Sequence, residues 1–150
     1  MRLLTLGLDA DGRSHVASSS SAEPEPVANA VGVRTKLLHR TTQAPPPPRL
    51  STDVPNIDMG LAPGLVQWMI VEHEPRPADA PATQVTELHT TDTLGYLQVL
   101  AGRFDLLLDD GAHDVGVGDC VVTNGVSHAL RVGAEGCRMV AVAIGTPPPA

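Results

Sequence analysis

Between Glu87 and Val132 the chain reads ELHTTDTLGYLQVLAGRFDLLLDDGAHDVGVGDCVVTNGVSHALRV, short apolar-alternating runs broken at Ala101-Gly102, Asp110-Gly111, Gly116, Gly118 and Asn124-Gly125. Alternation with a period of two buries one face of a strand, and glycine-containing breaks supply the positive φ that tight reversals need. The string therefore predicts a β-meander, with Ala101-Gly102 read as a hairpin turn. Away from Gly and Pro, no stretch of ten or more residues keeps an apolar period of 3.6, so an all-β fold is expected and βαβ units are not.

Further strands are predicted on either side of the meander. Leu65 to Glu72 (LVQWMIVE) holds the one tryptophan, Gln84 to His89 follows the Glu74-Pro75-Arg76-Pro77 break, and Cys137 to Ile144 (CRMVAVAI) closes the sheet. At the amino terminus, residues 3 to 8 and Arg13 to Val16 flank the turn-forming Asp9-Ala10-Asp11-Gly12, which predicts a hairpin annexed to the rest. Val27 to Leu38 alternates well enough for one strand (Val31, Val33, Leu37). Ser18 to Pro26 and the four prolines within Ala44 to Arg49 read as linkers or lids, Ser51 to Gly64 as loop, and Thr146 to Pro149 as an exposed tail. The expected organisation is an extension over 1–64, a barrel over 65–145 and a tail over 146–150.

With 150 residues the chain can bury one sizeable core but is short for two. A formal net charge of -7, with no Lys/Arg cluster interleaved with aromatics, argues against nucleic acid as a partner. The start MRLLTLGLDADGRSHV is broken by Gly7 and Asp9 and so lacks a signal-peptide core, and no apolar run approaches the roughly 18 residues of a membrane span. A soluble, cytoplasmic protein is expected. Cys120 and Cys137 sit in valine-rich runs without metal-ligand spacing and are read as core residues.

The segment from about Glu87 to Gly145 resembles the cupin superfamily, specifically its small single-domain members. In that family's first motif a His-x-His and a later Glu precede a Gly; here His89 holds the first histidine position, Thr91 the second and Gly95 that of the glutamate. The second motif runs from Gly-Asp to one histidine, and Gly118-Asp119 leading to His128 matches it with one residue fewer; Val132 stands where many members carry Asn. The segment also looks like a subset of cupins reading HTTDT near the first motif and GDVVV with a later HAW near the second, a subset in which the metal set is often eroded. Their amino-terminal hairpin is similar to LGLDADGRSHV. The resemblance implies a jelly-roll barrel with an amino-terminal β-hairpin extension, and a homodimer paired through sheet edges.

His89 and His128 are the candidate catalytic residues. Two imidazoles facing each other in an apolar cup suit proton transfer, because imidazole titrates near neutral pH. A metal needs about three converging protein ligands, so two histidines alone argue for no metal. Should Fe, Mn or Zn bind, Glu87, Asp92 or His73 would have to complete the set. Thr91, Trp68, Tyr96 and Gln98 are candidates for contacting substrate, with core or dimer packing the plainer role for Trp68 and Tyr96. No nucleotide-binding glycine pattern is present, so no organic cofactor is expected. With one Trp, one Tyr and one Phe, the lining must come mainly from Leu, Val, Met and Ala, which suits an apolar substrate better than a sugar.

Three functions follow as expectations. The first is a metal-independent lyase, isomerase or cyclase of small-molecule, polyketide-like metabolism. The second is a metal-dependent cupin with dioxygenase-like or hydrolytic chemistry. The third is a barrel that only binds an apolar ligand. His15, His39 and His113 are expected to be solvated, and Asp105, Asp109, Asp110 and Asp114 to form turns and an outer surface.

Overall fold

A computed structural model describes residues 1–26, 28, 34–50 and 53–149. These residues form strands and no helix, hence none long and apolar enough to cross a membrane. The strands are β1 (Arg2–Leu8), β2 (Ser14–Ser21), β3 (Glu25–Pro26), β4 (Arg34–Thr35), β5 (Val66–His73), β6 (Thr83–Gln84), β7 (Thr93–Leu108), β8 (Gly111–Gly116), β9 (Cys120–Thr123) and β10 (Ala129–Gly145). Eight of them make one mixed sheet in the order β2-β1-β9-β7-β10-β5, with β6 on β10 and β8 on β7; β3 and β4 pair separately.

The all-β reading thus stands, while several boundaries move. Ala101-Gly102 does not reverse the chain; it bends one long strand, β7, where that strand shifts register against β10. Gly102 has φ 67 and Gly136 has φ 72, and a Cβ on Gly102 would collide with the Gly136 carbonyl. The two strands pass so closely only because Gly102 carries no side chain, while a Cβ on Gly136 would collide with the His73 carbonyl at the end of β5. The amino-terminal hairpin is likewise no appendage, since β1 pairs in parallel with β9 inside the sheet.

Ser18 to Ser21 continues β2 instead of forming a linker, because β2 is an edge strand whose serines face water while the backbone still pairs with β1. Of the strand expected over Gln84 to His89, only Thr83–Gln84 and a single bridge at His89 remain. The Val27 to Leu38 strand falls partly outside the described residues; within them, Arg34–Thr35 pairs with Glu25–Pro26. Thr146 is buried and donates its N–H to the Asp92 carbonyl, so the tail begins after it.

Alternation buries both sheet faces. Leu4, Leu6, Val99, Phe104, Leu106, Val121 and Met139 pack on one side. Leu3, Leu94, Cys120 and Val122 pack on the other with Ala22. Both cysteines are free and buried, in different clusters, and burial pushes both thiols up.

The acidic residues of the meander serve as ties as well as outer surface. Asp109 accepts hydrogen bonds from the Ser14 N–H and Oγ, joining the amino-terminal hairpin to the β7–β8 turn. Asp119 accepts from the Arg2 N–H and guanidinium and from the Gly116 N–H. Burial opposes ionisation of Asp119, but Arg2 and those N–H groups outweigh it and hold the carboxyl below its ordinary range.

Candidate active site

His89 and His128 form an isolated antiparallel bridge: the His89 N–H donates to the His128 carbonyl at 3.1 Å and the His128 N–H to the His89 carbonyl at 2.9 Å. Directly opposed residues in such a pair project to the same side. The ring centroids accordingly lie 4.6 Å apart with a 47° tilt. Residues 39 positions apart in the chain are thus placed by backbone pairing, not by a flexible contact.

Each ring is oriented the same way. His89 Nδ1 lies 2.9 Å from the Glu87 carbonyl oxygen, and His128 Nδ1 lies 2.8 Å from that of Val126. A carbonyl only accepts, so Nδ1 carries the hydrogen in both, and the neutral form leaves Nε2 as the proton acceptor. Thr86 Oγ1, 3.2 Å from His89 Nδ1, adds a second contact on that ring. Among the described residues neither Nε2 has a hydrogen-bond partner, so both are available to a ligand.

The pair lines a cavity of about 180 Å³. Its walls come from Met69 and Val71 of β5, Leu97 of β7, and Leu130, Met139, Ala141 and Ala143 of β10, with Met59 from the preceding loop. Thr91, Thr93 and Thr123 add hydroxyls, and the Thr91 and Thr93 hydroxyls bond each other at 2.9 Å. In size it matches the roughly 150 Å³ apolar cavity able to hold benzene, well under the 300–1,000 Å³ of sites for drug-sized molecules. Burial lowers the His128 imidazole below its ordinary value, the Val126 carbonyl opposes this, and the neighbouring His89 adds to the lowering.

Thr91 is buried with its hydroxyl engaged by Thr93. Gly95 faces Thr123 of β9, and a Cβ there would collide with the Thr123 hydroxyl. The supplementary ligands do not complete a set either. Asp92 is held by Arg49 at 2.8 Å and by Asn56. Glu87 is exposed and meets His89 through its backbone carbonyl, while His73 lies opposite Cys137, near the bend at Gly102 and Gly136. Among the described residues no three His, Cys, Asp or Glu side chains gather as a metal would require. The donor set present does not fit a metal held by three protein ligands.

Thr91 therefore joins the histidines, whereas Trp68, Tyr96 and Gln98 do not line this cavity. They belong to the opposite face, with Trp68 78% exposed and Tyr96 and Gln98 bordering a separate groove beside Leu38. The cause is the pleat: Gly95 and Leu97 point to the cavity, so Tyr96 and Gln98 point away. The Tyr96 hydroxyl meets His39 Nδ1 at 2.9 Å, and His113 pairs with Asp110 at 2.6 Å, so neither histidine is merely solvated. Sequence reasoning missed Thr123 and the β10 alanines. A glycine at position 95 hinted at a close neighbour, but only strand register identifies that neighbour as Thr123.

No family model matches this chain and no curated protein shows significant similarity to it, so the reading of this site rests on its own geometry.

Proposed function

We propose that the large sheet closes as a cupin-type jelly-roll barrel and that the protein is an acid/base lyase, isomerase or cyclase acting on a small, largely apolar substrate. The observation that carries this reading is the pair of bridged imidazoles, each with Nδ1 on a carbonyl and Nε2 unpartnered, in a cavity walled by aliphatic and Met side chains. A charge on one ring disfavours a charge on the other at this distance, and His89 contributes in that sense to the lowering of His128. One ring is then a base while the other is an acid.

Burial assigns the base role to His128, which stays neutral to lower pH. In a dehydration, His128 Nε2 takes a proton from carbon, the C–H electron pair forms the new double bond, and the C–O bond breaks as His89 Nε2 donates its proton to the departing hydroxyl, releasing water. In an isomerisation His89 instead returns a proton to a second carbon. Neither route moves electrons to an external acceptor. Thr91 supplies a hydroxyl for a polar group on the substrate, and a cavity of this size takes about one ring at a time.

The test is an NMR titration of the imidazole nitrogens between about pH 5 and 8, combined with elemental analysis of unchelated protein. His128 is expected to titrate below about 6.5, the value of free histidine. The unfolded chain then binds a proton before the folded one does, so this site's contribution to stability falls as pH drops below about 6.5 and levels off below the folded pKa of His128. A His128 that titrates at or above the free value, or iron, manganese or zinc at one per chain, would overturn the reading, the latter in favour of a metal-dependent cupin.

We propose further that the chain forms a homodimer through β5. This strand pairs with β10 on one side only among the described residues, and it exposes Val66 (62%), Trp68 (78%) and Ile70 (52%) on one face. Antiparallel pairing of this strand with its own copy satisfies the free edge and is two-fold symmetric, bringing both apolar stripes together. Sedimentation of the native chain is expected to give a dimer and Trp68→Glu a monomer. A monomeric native chain would reject the interface.

A further inference from the structure

We infer that the proline segment borders a second ligand site, which shares only Thr93 with the histidine cavity and is independent of the function proposed above, and that it takes a small organic carboxylate. Pro46, Pro47 and Pro48 together with Leu94 wall a pocket of about 340 Å³, nearly twice the volume beside the histidines. Arg40 and Thr146 line it with them.

Two observations mark it as a place for an anion. In a chain with 17 acidic and 10 basic residues, Arg2, Arg49, Arg103 and Arg131 each hold a carboxylate and Arg13, Arg34 and Arg76 donate to carbonyl or hydroxyl oxygens, whereas Arg40, like Arg138, has no partner among the described residues. Thr146 is 5% exposed, and its Oγ1 is buried without a hydrogen-bond partner among the described residues. Buried hydroxyls are satisfied in most folded proteins, so this one has capacity that a bound acceptor or donor could use.

The lining also limits the ligand. Among the described residues no acidic side chain borders the pocket, and Asp92 nearby is neutralised by Arg49. Asn124 uses its amide nitrogen on the Leu6 carbonyl, leaving its oxygen as an acceptor. A single guanidinium with surrounding hydroxyls matches a monoanion, since a guanidinium forks onto one carboxylate. Proline and leucine walls favour a carboxylate attached to an apolar body over inorganic phosphate, which carries more charge and no apolar surface.

Amide chemical shifts of the full chain, followed during addition of benzoate, benzyl alcohol and inorganic phosphate, test the site. Benzoate is expected to give saturable shifts at residues 39–42 and at Leu94, Asn124 and Thr146, with benzyl alcohol and phosphate each weaker by about tenfold or more. Arg40→Gln should weaken benzoate about tenfold, as loss of a charge-assisted hydrogen bond does, while Arg40→Lys restores part of it. The neutral alcohol probes the charge requirement without any substitution, so the test survives a variant that folds poorly. Benzoate shifts confined to the histidine cavity, equal binding of benzyl alcohol, unchanged affinity in Arg40→Gln, or no saturable shift would each overturn the site.

Discussion

Replacing His128 by glutamine is expected to lower turnover by about 10²–10⁴-fold, the usual loss when a positioned acid or base is removed. Glutamine keeps a polar side chain of similar reach near the Val126 carbonyl but cannot take up and release a proton. The same change at His89 should cost a comparable factor, because each ring supplies half of one proton-transfer cycle. The double variant should then be little worse than either single one, as groups acting as a unit are strongly non-additive. Both single variants should melt close to the native chain, since the backbone bridge between residues 89 and 128 does not involve the rings. Turnover within a few-fold of native in the double variant, measured on a substrate the native protein converts, would show that the pair is not catalytic.

Replacing Gly102 by alanine is expected to destabilise the fold by more than about 4 kcal/mol, a loss reserved for a few severe mechanisms. Two costs combine. A φ of 67 is strained for any residue with a Cβ, at roughly 1–2 kcal/mol. In addition the new methyl group meets the Gly136 carbonyl, a backbone atom that can retreat only if β7 and β10 separate. For a chain of this length each kcal/mol lowers the melting temperature by about 2–4 °C, so a drop of about 10 °C or more is expected. Gly12→Ala is the control: its φ is 77, yet nothing lies within 4 Å of the added Cβ, so only the conformational strain applies. Equal melting of the two variants would show that close approach at residue 102 contributes nothing.

The same glycine shows how far a pattern read along the chain can reach. Ala101-Gly102 was legible as a break in alternation, and a break it is, but a turn and a bulge have the same local signature. What separates them is whether β10 lies alongside on both sides of the break, and there Gly102 pairs with Cys137, 35 residues further along the chain. Trp68, Tyr96 and Gln98 make a similar case. Their place in strands was legible, while the face each one takes depends on the pairing of β5, β7 and β10. Thr146 was read as tail because three prolines follow it, and it is buried because the Asp92 carbonyl lies in reach of its N–H.

Alternating apolar positions and glycine breaks were by themselves sufficient for the all-β class and for most strand positions, because period-two burial is a local property of the backbone. His89 and His128 were singled out instead by the likeness of the segments around them to the two cupin motifs. Only the tertiary structure decided that these two residues bridge directly, that Thr123 closes the space beside Gly95, and that Trp68 faces outward. The reason is that a sheet is assembled from hydrogen bonds between distant segments, and a shift of one residue in their register turns every side chain to the other face.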